Sequence, residues 1–95
     1  MYEITDYTKN KAKQLGLIVY PSDNPKYKLE VYDEKTGLFK CYLGASGYKD
    51  FEIYLKEKGI DFAENRRRLY FARHQKDISK IGSRGWLVWC LVWRG

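Results

Sequence analysis

Histidine occurs once in this chain, and cysteine and proline twice each. A lone His74 with two isolated cysteines, Cys41 and Cys90, excludes the paired spacing of a structural zinc site or a dithiol redox motif. Both cysteines lie in apolar stretches, which favours buried thiols in an intracellular protein over a single disulfide. Long hydrophobic runs are also missing. The longest, Trp86–Trp93, falls far short of the roughly 20 residues that cross a bilayer. From Glu3 to Lys13 the chain is polar and charged, without the apolar core of a secretory signal, so a secreted protein is not expected. Internal repeats, low-complexity tracts and linkers are absent. The 95 residues therefore read as a single domain, 1–95, near the lower limit for an independent core.

Aromatic residues and positive charge are abundant. Nine Tyr, four Phe and three Trp make up 17% of the chain, and each ring buries a large area in a small core or serves an interface. The net charge is +6, and all of it sits in the last third. Lys and Arg balance Asp and Glu six against six in residues 1–35 and four against four in residues 36–62, but outnumber them eight to two in residues 63–95. One basic segment behind a neutral body is the pattern of a surface that meets an anion, with nucleic acid the first candidate.

The periodicity predicts a small α+β domain. Asp6–Gln14 reads as a short helix capped by Thr5 or Asp6 and stopped by Gly16. Leu17–Tyr20 is β-prone. Tyr27, Leu29 and Val31 alternate with polar neighbours as a half-buried strand. Asp33–Gly37 is a turn, and Leu38–Leu43 is a second strand with Phe39, Cys41 and Leu43 on one face. A β-hairpin, or a three-stranded antiparallel sheet if Leu17–Tyr20 joins, is expected to pack against helices. Asp50 caps a helix through Lys58, and Gly59 ends it. Asp61–Glu64 has capping-box character and opens a helix running to about Asp77, with Lys76–Arg84 a polar loop. In the last segment Trp86, Trp89, Cys90 and Trp93 have helical spacing, while the unbroken apolarity also suits a buried strand.

The candidate binding residues are Arg66, Arg67, Arg68, Tyr70, Arg73, His74, Lys76, Lys80 and Arg84. Arginines on one helical face hold phosphates bidentately, and an interleaved tyrosine packs on a sugar or base. The competing reading ties Arg66 or Arg73 to Asp77, Glu64 or Asp50 within the fold. His74 with Asp77 lacks a positioned nucleophile, so no catalytic residue is assigned and the chain is not read as an enzyme. Gly44–Gly47 lacks the Gly-Lys-Ser/Thr of a phosphate loop and reads as a turn. Scattered acids, Glu30, Asp33, Asp50, Glu64 and Asp77, show no metal-ligand spacing, so no metal or cofactor is expected.

Three stretches, Ser22–Tyr27, Leu43–Asp50 and Arg66–Asp77, with the ending Gly85–Trp93, together resemble a family of small uncharacterised proteins encoded by tailed bacteriophages and large eukaryotic DNA viruses. The resemblance covers Ser22 to Trp93 and leaves residues 1–21 as an N-terminal extension. This chain departs from the pattern by an extra stretch near Tyr54–Glu64 and by a more apolar ending. The resemblance implies a viral protein acting in the cytoplasm of an infected cell or packaged in a virion, and carries no activity with it. The leading expectation is a sequence-independent DNA- or RNA-binding module. The alternative is a protein-interaction module, a minor virion component or host-factor binder with an aromatic contact surface. No membrane partner is expected.

Overall fold

The structure, a computed structural model, describes residues 2–95. Among these are five helices and one three-stranded antiparallel sheet, an α+β fold. They form two compact units, one ending at Tyr48 and the other running from Lys49 to Gly95.

The first unit begins with α1 (Asp6–Gln14), where the Thr5 hydroxyl accepts the Thr8 N–H at 3.4 Å and satisfies one of the open donors of the first turn. Gly16, at φ +72°, ends it in the left-handed region. The chain then enters β1 (Leu17–Pro21), β2 (Tyr27–Asp33) and β3 (Phe39–Ala45), ordered β1-β2-β3. Val19 pairs with Val31, and Leu29 with Leu43. The period-2 pattern therefore puts Leu17, Val19, Leu29, Val31 and Leu43 in the core, and α1 lies against β1 with Ala12 and Thr8 buried. Each such aliphatic side chain stabilises the unit by about 1.5–3 kcal/mol through burial. The β2–β3 turn is built on Asp33, whose carboxylate accepts the N–H groups of Lys35 and Thr36, both at 2.9 Å. These bonds, Thr36 first, hold the Asp33 carboxyl below its usual pKa.

One strand pattern breaks. Plain alternation put Phe39, Cys41 and Leu43 on one face, but only Leu43 is fully buried and Phe39 is 49% exposed. The register explains this. Val31 faces Cys41, yet the next residue, Tyr32, faces Phe39, so Lys40 is the extra residue of a β-bulge. The bulge turns Phe39 onto the face that carries Tyr32.

The second unit consists of α2 (Phe51–Lys58), α3 (Ile60–Arg73), α4 (Gln75–Ser79) and α5 (Arg84–Val92). Asp50, itself buried, caps α2 by accepting the Ile53 N–H at 3.1 Å. Three sequence expectations change here. The long helix opens at Ile60 behind Gly59, without a side-chain cap, rather than at an Asp61 box. It stops at Arg73 instead of continuing to Asp77, because His74 leaves the helical region at φ −117°, ψ 22°. The expected Lys76–Arg84 loop contains α4, which buries Ile78. The tryptophan segment is a helix, capped by Ser83, whose hydroxyl accepts the Trp86 N–H at 3.2 Å. It buries Leu87, Cys90, Leu91 and Val92, with Trp93 just beyond, while Trp86 and Trp89 stay half-buried. Both cysteines are thiols; Cys90 is buried, Cys41 half-buried.

Candidate functional site

An α-helix turns by about 100° per residue, so three consecutive arginines cannot share a face. On α3 they take three different roles. The Arg66 guanidinium stands 5.4 Å from the Tyr54 ring centre and 5.5 Å from that of Phe62, within cation–π range of both. Arg67 reaches the end of α5. Its Nε donates to the Trp93 carbonyl and an Nη to the Arg94 carbonyl, both at 3.0 Å. The same guanidinium lies 4.6 Å from the Trp89 ring centre, and Glu64 is 3.9 Å away. Arg67 thus satisfies carbonyls that a helix C-terminus leaves open, with its charge at the favourable end of the dipole. Arg68 is exposed.

Tyr70, one turn beyond Arg66 and Arg67, is the centre of a stack. Its ring lies 4.6 Å from Trp93 at 17° and 4.2 Å from His74 at 26°, with Trp89 parallel at 6.3 Å. Burial raises the Tyr70 pKa, Asp77 adds to the rise, and Arg84 opposes it. Tyr70, Asp77 and Arg84 therefore share one electrostatic neighbourhood. His74 Nδ1 is 3.6 Å from the Asp77 carboxylate. Tyr70 and His74 are structural as well as candidate contact residues, since each already stacks on a neighbouring ring.

Arg73, Lys76, Lys80 and Arg84 remain at the surface, all exposed. They follow one another along the end of α3, along α4 and across the turn into α5, with Asp77 the single acid in that stretch. α4 and α5 form a helix–turn–helix pair with Gly82 at φ +86° in the turn. The close packing of α4 on α5 depends on Gly85, where a Cβ would fall 2.6 Å from that of Asp77. Four of the nine residues of α5, Leu87, Cys90, Leu91 and Val92, are buried, and its one charged residue, Arg84, stands in its first turn, so α5 lacks the polar face with which a base-reading helix lies along a groove.

Sequence reasoning missed Arg94. It takes the left-handed conformation at φ 56°, forms a two-pronged ion pair with Glu52, and stands 4.9 Å from the Phe51 ring centre. Nothing in local spacing links positions 52, 67 and 94; only packing does.

The first unit carries a second surface. Tyr20, Tyr32, Phe39, Tyr42 and Tyr27 form an unbroken chain of ring contacts over all three strands, with centroids 4.9–5.7 Å apart. Glu30 is set among them. It accepts the Tyr32 hydroxyl and, at 3.1 Å, the Asp23 N–H, while the Tyr42 hydroxyl points at Asp23. Hydrogen bonding to Glu30 is the main reason the Tyr32 pKa is raised to about 12.

Among the described residues, no group of three or more His, Cys, Asp or Glu side chains is placed to hold a metal ion, and no helix is long and apolar enough to cross a membrane. No family model, curated protein or solved structure matches the chain.

Proposed function

We propose that this protein binds nucleic acid without sequence preference, through phosphate contacts from Arg73, Lys76, Lys80 and Arg84, with Arg68 contributing from another side of α3. The observation that carries this reading is the run of exposed cations from the end of α3 to the start of α5, opposed by one carboxylate. Arg66 and Arg67 leave the contact set, because rings and carbonyls engage them. Beyond Arg84, α5 carries no charged side chain, which supports backbone contact over base readout. The viral setting belongs to the same proposal and rests on the resemblance of Ser22 to Trp93.

The test is fluorescence anisotropy with labelled duplex DNA, single-stranded DNA and RNA across a salt series. Four duplex phosphate contacts correspond to a slope of about 3.6 log units of affinity per log unit of salt, roughly a hundredfold loss between 50 and 200 mM. Lys76→Glu/Lys80→Glu should lower the slope to about half. Absence of binding at 50 mM salt, or an unchanged slope in that variant, would sink the proposal.

A second reading, a protein-interaction module, is favoured by the aromatic sheet face. Such rings on a sheet can stack bases, but the carboxylates of Glu30 and Asp23 among them repel phosphates and suit a partner presenting Lys or Arg.

A further inference from the structure

A groove of about 610 Å³ runs beside β1. Its wall includes all five residues of Leu17–Pro21, together with Ile4, with Lys9, Ala12 and Lys13 of α1, and with Glu34. Side chains alternate along a strand, so a cavity on one sheet face would touch every second residue. Contact with five in succession means that the groove follows the edge of β1, and no residue of β2 lines it.

The edge is chemically open. Among the described residues β1 is the outermost strand and pairs only with β2. Two bonds fix which main-chain groups face which way: Ser22 N–H donates to the Lys28 carbonyl, and Glu34 N–H to the Gly16 carbonyl, each at 3.0 Å. Alternation in an antiparallel ladder then turns the main chain of Ile18 and Tyr20 toward β2, and that of Leu17 and Val19 outward into the groove. Pro21 fits this pattern. It occupies an outward position, where its missing N–H costs no ladder bond.

We propose that this groove binds an extended peptide segment of a partner protein, added as a fourth strand beside β1 and carrying an acidic residue toward α1. The outward N–H and C=O groups of Leu17 and Val19 demand a strand, since only an extended backbone offers matching donors and acceptors at that spacing. Alternate apolar side chains of the incoming strand meet Ile4, Ala12 and the β1 wall. Charge supplies the rest of the choice. Lys9 and Lys13 stand one turn apart on α1, both exposed and, among the described residues, without a carboxylate partner, and both line the groove. Glu34, the one acid on the wall, is held beside the Leu17 end of β1 by its N–H bond to the Gly16 carbonyl and disfavours a second acid there. This proposal is independent of the nucleic-acid reading, which uses other residues.

The experiment uses the full chain and a fluorescein-labelled hexapeptide of alternating Val and Thr with one central Asp, alongside the same peptide with Lys in place of Asp. Titration is followed by anisotropy, and hydrogen exchange is read at the Leu17 and Val19 amides. The Asp peptide should bind in a saturable manner, at least tenfold tighter than the Lys peptide, and slow exchange at those two amides. Val19→Pro removes an outward donor and should weaken binding at least tenfold. Lys9→Glu/Lys13→Glu leaves the core untouched and should reverse the preference between the peptides, which keeps the test valid if Val19→Pro fails to fold. Equal binding of both peptides to wild type and to the double variant would overturn the proposal, as would no binding at millimolar peptide. Sedimentation showing a dimer that the peptide cannot displace would also overturn it, assigning the edge to a second copy of the chain.

Discussion

Replacing Arg67 by alanine tests the division of labour among the three consecutive arginines. The substitution removes two charge-assisted hydrogen bonds to the Trp93 and Arg94 carbonyls and a cation–π contact with Trp89. Such bonds contribute about 1.5–3 kcal/mol each when well formed, and the ring contact about 0.5–1 kcal/mol. The Glu64 pair, at 3.9 Å between half-open side chains, adds little. The Arg67 side chain is 30% exposed and the contributions overlap, so a net loss of roughly 2–4 kcal/mol is the reasoned value. For a chain of 95 residues that unfolds as a whole, this lowers Tm by roughly 10–20 °C. Arg68→Ala, at an exposed position on the same helix, should cost less than about 0.5 kcal/mol. Arg67→Lys keeps the charge but not the two-pronged geometry and should fall between them. Thermal unfolding followed by tryptophan near-ultraviolet circular dichroism reads all three, since Trp89 and Trp93 lie at the contact. Equal, small shifts for Arg67→Ala and Arg68→Ala would refute the assignment of Arg67 as a tie to the end of α5.

Two further outcomes follow from the geometry. The raised pKa of Tyr32 means that its protonated form is favoured by folding: this contribution is complete below pH 10 and is lost as the pH rises through about 12. Glu30→Gln should bring the Tyr32 titration back toward 10, read by ultraviolet absorbance against a Tyr32→Phe reference; an unmoved titration would show that Glu30 is not the cause. Gly85→Ala places a methyl group 2.6 Å from the Asp77 Cβ and 2.8 Å from its carbonyl oxygen, so α4 and α5 must separate. A loss of about 1–3 kcal/mol is expected in denaturant unfolding, and an unchanged midpoint would mean that the two helices do not pack so closely.

The local elements were legible in the sequence because their causes are local. Thr5, Gly16, the Asp33–Gly37 turn and the Asp50 cap act through hydrogen bonds and φ values within a few residues, and each ends or starts an element where the spacing put it. Ser83 and the helical spacing of the tryptophans likewise belong to α5 itself. What could not be read locally was the fate of side chains whose partners are remote. Phe39 changes face because one extra residue, Lys40, enters the pairing of β3 with β2, and alternation along a single strand contains no record of its partner's register. α3 ends at Arg73, where the His74 ring stacks on Tyr70 and α4 turns to bury Ile78, although the residues across the break are acceptable helix formers. The arginine run shows the distinction most clearly. Composition alone determined that the final third of this chain is basic; only the tertiary structure decided that Arg66 meets two rings, Arg67 the end of another helix and Arg68 water. A helix distributes consecutive side chains around its axis, and the fold chooses what waits on each side.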